Sequence, residues 1–141
     1  MDQWRPFDIK SFLKASRHWD DDIKRLQEEH DSLALLPSTG DKPIGTGDIS
    51  DMTASAALRR LKITSQIEEI MLYKEILACA FRTLPEDEIR LIKGFYYPNK
   101  PISVFVDEYC HEYGIGRTML YQERDRIEQH MARLIESRYY E

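Results

Sequence analysis

Between residues 8 and 34, Phe12, Ser16, Trp19, Ile23, Leu26, His30 and Leu33 follow one another at intervals of 4, 3, 4, 3, 4 and 3. That spacing draws one stripe down a helix and resembles a heptad seam, with Ser16 and His30 as polar interruptions. The positions between are charged: Lys14, Arg17, Asp21, Asp22, Lys24, Arg25, Glu28 and Glu29. The pattern predicts one amphipathic helix over 8–34, with Asp8 as its N-cap. The stretch from Pro37 to Ser50 breaks it. Pro37, Gly40, Pro43, Gly45 and Gly47, interleaved with Ser, Thr and Asp, predict a long loop over 36–50.

A second long helix is predicted over 51–83. Ala56, Ile63, Ile70, Leu77 and Leu84 recur every seven residues, Ile67 and Phe81 fill part of a second stripe, and Lys74 interrupts it. Two such stripes cannot bury themselves alone. They pair with each other as an antiparallel hairpin, or with a second copy of the chain.

Beyond Leu84 the elements shorten. Pro85-Glu86-Asp87-Glu88 places proline and acids where a helix start favours them. Pro98-Asn99-Lys100-Pro101 forms a turn, Ser103 is the expected cap of a short helix to about Tyr113, and a last helix runs from Arg117 to about Arg138. No strand-like alternation, internal repeat or low-complexity tract stands out. The expected fold is all-α, with a helical hairpin over 1–84 for oligomerisation or partner contact and a smaller domain over 85–141.

The most informative stretch is Ser103 to Ile127. Two helices joined by a turn of about three or four residues, often containing glycine, define the helix-turn-helix. The geometry asks for a small residue in the first helix, a turn residue tolerant of positive φ, and an inward apolar residue in the second. Cys110, Gly114 and Leu120 fill those places, spaced small-x3-Gly-x5-apolar, with Val106, Tyr109, Tyr113 and Ile115 around them. In such a motif the second helix lies in the major groove and its N-terminal residues reach base edges. Its exposed face would carry Arg117, Thr118, Tyr121, Gln122 and Asp125. Arginine can take guanine bidentately and glutamine can take adenine. Arg124, Arg126 and Lys100 are candidate phosphate contacts. The competing reading is a plain helical hairpin with a solvated face, which Glu123, Asp125 and Glu128 favour.

Residues 84–135, from Leu84-Pro85-Glu86-Asp87-Glu88 through Tyr113-Gly114-Ile115-Gly116-Arg117-Thr118-Met119-Leu120-Tyr121-Gln122, resemble region 4 of a sigma factor. More narrowly, the chain resembles the ArpU/RinA-type phage transcriptional regulators. The segment Gly47 to Ala57 resembles the entry to their central helix; residues 1–46 are matched only by helical character. Gly116 stands where a capping serine is common, Cys110 where alanine is usual, and Glu123 where these helices often carry an apolar residue. The resemblance implies a sigma-region-4-like helix-turn-helix that binds promoter or operator DNA in bacterial host cytoplasm. It further implies activation of phage or prophage late genes, with RNA polymerase or a homodimer as the partner of the hairpin.

Composition qualifies that reading. Net charge is −5, so the basic footprint typical of nucleic-acid binding is missing from the chain as a whole. Non-specific DNA affinity is expected to be weak, and an acidic face is left for a protein partner. Cys79 and Cys110 form no CxxC, which fits a reducing compartment. His111 beside Cys110 has no second ligand pair at zinc-finger spacing, and His18, His30 and His130 are scattered, so no metal or cofactor is expected. Gly40 to Thr46 lacks the Lys-Ser/Thr of a phosphate loop. Glu68-Glu69 and Glu86-Asp87-Glu88 read as solvated carboxylates. Nothing in the order of Ser, His and Asp suggests a nucleophile, so no enzyme activity is expected. Phe95-Tyr96-Tyr97 and Tyr139-Tyr140 read as core cover. The alternatives are a DNA-packaging protein like a phage terminase small subunit, or a helical adaptor without DNA contact.

Overall fold

The computed structural model describes residues 7–34 and 47–139. All regular structure among the described residues is helical: α1 (Ile9–Ser16), α2 (Trp19–Ala34), α3 (Gly47–Arg82), α4 (Glu86–Tyr96), α5 (Ile102–Tyr113) and α6 (Arg117–Tyr139). The all-α expectation therefore holds. No described helix is long and apolar enough to cross a membrane. Expectations for Pro37 to Thr46, including the phosphate-loop comparison, and for the side chains of Tyr139 and Tyr140 lie outside the described residues.

The helix expected to run unbroken over 8–34 is two helices. Asp8 caps the first, accepting the Ser11 amide at 3.1 Å. The first ends at Ser16, whose hydroxyl turns back to the Leu13 carbonyl at 2.5 Å and also meets the Tyr97 hydroxyl. A serine bonding back into its own turn bends or ends a helix. The second then opens on Asp20, Asp21 and Asp22, acids that suit the positive end of the helix dipole. At the far side of the loop, α3 starts at Gly47 rather than near Asp51, so 47–50 are helical.

The chain divides into two compact units. One comprises residues up to Arg17 together with those from Lys74 onward; the other runs from His18 to Tyr73. In the first unit α6 is the central element, touched by α1, α4 and α5. Leu120, Ile127, Met131 and Ile135 recur along its inward side and are all essentially excluded from water. On the helices that α6 touches, Ile9 and Leu13 of α1, Leu91 and Ile92 of α4, and Phe105 and Val106 of α5 are also buried. Ile76, Leu77, Ala80 and Leu84 add buried apolar side chains from the end of α3 and the turn after it. Burying a side chain of this size is worth about 1.5–3 kcal/mol, so among the described residues this unit holds most of the apolar stabilisation.

In the second unit, Trp19 at the start of α2 lies 6.0 Å, ring to ring, from Tyr73. Glu29, near the end of α2, takes Arg59 at 2.6 Å. Successive contacts thus run in opposite order along the two helices. Trp19, Leu26 and Ile63 are the buried side chains here, and Ile23, Ile67 and Ile70 are half-buried beside them.

Candidate nucleic-acid interface

The turn between α5 and α6 is Gly114-Ile115-Gly116. Gly114 takes φ +65° and ψ 35°, the left-handed region, and is the one residue with positive φ among those described. Its amide and that of Ile115 both reach the Cys110 carbonyl, the latter at 3.1 Å, which closes the end of α5. The Gly116 carbonyl accepts from Leu120 at 3.0 Å and starts α6. Leu120 is fully buried and Val106 nearly so, while Cys110 is half-buried. At the other end of α5, Ser103 is not the cap. Pro101 holds that place at φ −57° and ψ 141°, and its carbonyl accepts from Phe105 at 3.1 Å. Proline's fixed φ suits the start of a helix, and the Pro101 carbonyl also accepts from the Val104 amide at 3.1 Å.

One contact outside the turn sets how closely α4 and α5 approach. Gly94 faces the Phe105 ring so tightly that an added Cβ would lie 2.0 Å from the ring's Cζ. Phe105 in turn packs edge-on to Phe95 at 5.8 Å and against Tyr109 at the same centroid distance.

The candidate residues of α6 divide into two groups. Arg117, Thr118, Tyr121, Gln122 and Asp125 are exposed, as expected, on the first turns of the helix. Met119, which sequence reasoning did not single out, is 53% exposed beside them. Arg124 differs. It is drawn in against α4, its guanidinium 4.9 Å from the Phe95 ring centroid and 5.1 Å from that of Tyr121. This stack occupies the guanidinium, so Arg124 does not project freely.

Each expected cation already has a carboxylate. Arg117 is ion-paired to Asp107 of α5. Lys100 meets Glu108 at 2.5 Å, Arg124 meets Asp125 at 3.2 Å, and Arg126 meets Glu123 at 2.8 Å and Glu88 at 3.2 Å. The hydrogen bond from Arg126 holds the Glu123 carboxyl below the usual carboxylate range. That pairing accounts for a polar Glu123 on α6. Exposed pairs of this kind contribute about 0–1 kcal/mol each, so a phosphate can displace the carboxylate at little cost.

Glu128 overturns one expectation. It does not lie on the solvated face: its side chain is 1% exposed. Lys10 donates to its Oε1 at 2.6 Å and Tyr96 donates to its Oε2 at 2.5 Å. The Arg124 guanidinium stands 3.8 Å away. Nothing local in the sequence marks this cluster, because its members come from α1, α4 and α6. The partner of Arg117 was equally hidden, since Asp107 lies on a different helix. Among the described residues no group of three or more His, Cys, Asp or Glu side chains is placed to hold a metal.

No protein-family model matches the chain, and neither do any curated protein or solved structure.

Proposed function

We propose that the chain is a sequence-specific double-stranded DNA-binding regulator of transcription, reading DNA with the first turns of α6. The observation that carries this reading is the α5–α6 pair. A three-residue turn with a left-handed Gly114 joins them, Leu120 anchors α6 inward, and Arg117, Thr118 and Gln122 stand exposed at its start. That combination is what a helix-turn-helix needs to present side chains to the major groove. Arg117 would take a guanine edge and Gln122 an adenine edge. Thr118 and the apolar Met119 suit a thymine methyl. Lys100 and Arg126 would hold phosphates after releasing Glu108 and Glu123.

The opposed contacts Trp19–Tyr73 and Glu29–Arg59 support an antiparallel hairpin of α2 with α3. By the likeness to the ArpU/RinA-type regulators, the regulated genes are late phage or prophage genes and the activity is activation. The paired cations favour a second reading, a helical adaptor that leaves DNA alone. Titration of labelled duplex DNA against the Arg117→Ala/Gln122→Ala chain separates the two. A DNA reader loses discrimination by about 1–3 kcal/mol per lost base contact. An adaptor shows no sequence preference in either form.

A further inference from the structure

The outward face of α3 in the second unit carries exposed large apolar side chains, interrupted by Ser65 and Glu68. Leu58 and Leu61 each stand 68% exposed, Met71 57% and Leu72 55%. Positions 58, 61, 65, 68 and 72 fall at intervals of 3, 4, 3 and 4. They form a second seam, on the opposite side of the helix from buried Ile63. Single exposed leucines need no explanation, but several large apolar side chains at seam spacing on one face do.

We infer that this seam pairs with the same seam of a second copy of the chain, the two α3 helices running antiparallel. Charge selects both the occupant and the direction. Lys62 flanks the N-terminal half of the seam, and Glu68 and Glu69 lie in its C-terminal half. Two parallel copies set Glu68 against Glu68 inside the seam. Two antiparallel copies set Leu61 of each against Leu72 of the other and Ser65 against Glu68, where the serine hydroxyl can donate to the carboxylate. Lys62 of each then approaches Glu69 of the other, the flanking charge pair that fixes orientation in helical pairs. A seam flanked by Lys62 towards one end and by Glu69 towards the other is complementary to itself only when reversed, which is the self-complementarity a two-fold interface requires.

This inference stands apart from the DNA reading. Sedimentation equilibrium of the full chain tests it. The expected result is a concentration-dependent dimer. In Leu61→Glu/Leu72→Glu dimerisation weakens by about 100-fold or more, from buried unpaired charge, with helical circular dichroism unchanged. Lys62→Glu alone weakens the dimer, and adding Glu69→Lys restores it. Should the leucine variant lose helicity, the charge series decides alone. A chain that stays monomeric to about 100 μM, or that forms a larger ring, overturns the inference. So does a dimer indifferent to the leucine substitutions, and a dimer that the charge swap fails to restore overturns the antiparallel arrangement.

Discussion

Tyr96 and Glu128, brought together from α4 and α6, share a hydrogen bond of 2.5 Å in the interior of the first unit. Lys10 of α1 reaches the other carboxylate oxygen, so one buried acid ties three helices together. A polar group buried this far is tolerated only when its partners are present. Glu128→Ala strands the Tyr96 hydroxyl and is expected to cost about 2–3 kcal/mol. Tyr96→Phe leaves the carboxylate with Lys10 and is expected to cost about 1 kcal/mol. Urea unfolding of the two variants checks the order. Equal costs would contradict it.

Tyr96 and Tyr109 make stability fall in alkali. Burial first, and then the hydrogen bond to Glu128, raise the Tyr96 pKa well above its ordinary value. Burial likewise pushes Tyr109 up to about 12. The folded chain therefore keeps these phenolic protons after the unfolded chain, with tyrosines near 10, has released them. Stability is full below about pH 10 and declines as pH rises towards the folded values. Thermal midpoints measured from pH 8 upward should drop steeply beyond about pH 10, and Tyr96→Phe should drop less steeply. Identical slopes in the two chains would contradict the assignment.

Gly94 is fixed by contact and Gly114 by backbone conformation, and the two predict different rescues. Gly94→Ala drives a methyl into the Phe105 ring, and Phe95 and Tyr109 leave that ring no room to retreat. The expected cost is about 1–3 kcal/mol, partly recovered by Phe105→Leu. Around Gly114 there is open space, so the cost of Gly114→Ala is that of the positive φ alone, about 1 kcal/mol. Gly114→Asn should cost less, since asparagine enters that region more readily. Chemical denaturation of the four variants measures both patterns.

How much of this was legible in the sequence differs by position. Asp8, Gly114 and Leu120 were readable because capping, positive φ and inward spacing are local properties. Residues 8–34 misled because a seam of 3 and 4 spacings continues in register through a break. Only contacts distant in sequence, Ser16 with Tyr97 and Lys10 with Glu128, show that α1 belongs beside α4 and α6. Glu128 misled for the opposite reason. Glutamate among charged neighbours reads as solvated, and its burial depends on Lys10 and Tyr96, which no local pattern connects to it. The exposed residues of α6 were legible from helical periodicity, whereas the state of their charges was not. Arg117 is tied to Asp107 and Arg124 is stacked between rings by helices that meet only in the folded chain.

The pairing of Arg117 yields a prediction of its own. In the free chain Asp107 competes with DNA for the guanidinium. Asp107→Asn removes that competition and a repulsive charge, so DNA affinity should rise by about three- to tenfold, mostly through faster association. Stopped-flow association rates of the two chains check it. Unchanged or slower association by the variant would mean that Arg117 does not approach DNA.

DNA reading by α6 is tested most directly by a titration of the full chain against duplex DNA from the region upstream of its own gene and from late promoters. Scrambled duplexes serve as controls, across about 50–200 mM salt. A sequence reader whose cations must first release their carboxylates gives tight binding to one fragment, weak binding to scrambled DNA, and a modest slope against log salt. Equal affinity for every duplex at every salt, or none for any, contradicts DNA reading and leaves α5 and α6 as a surface for a protein partner.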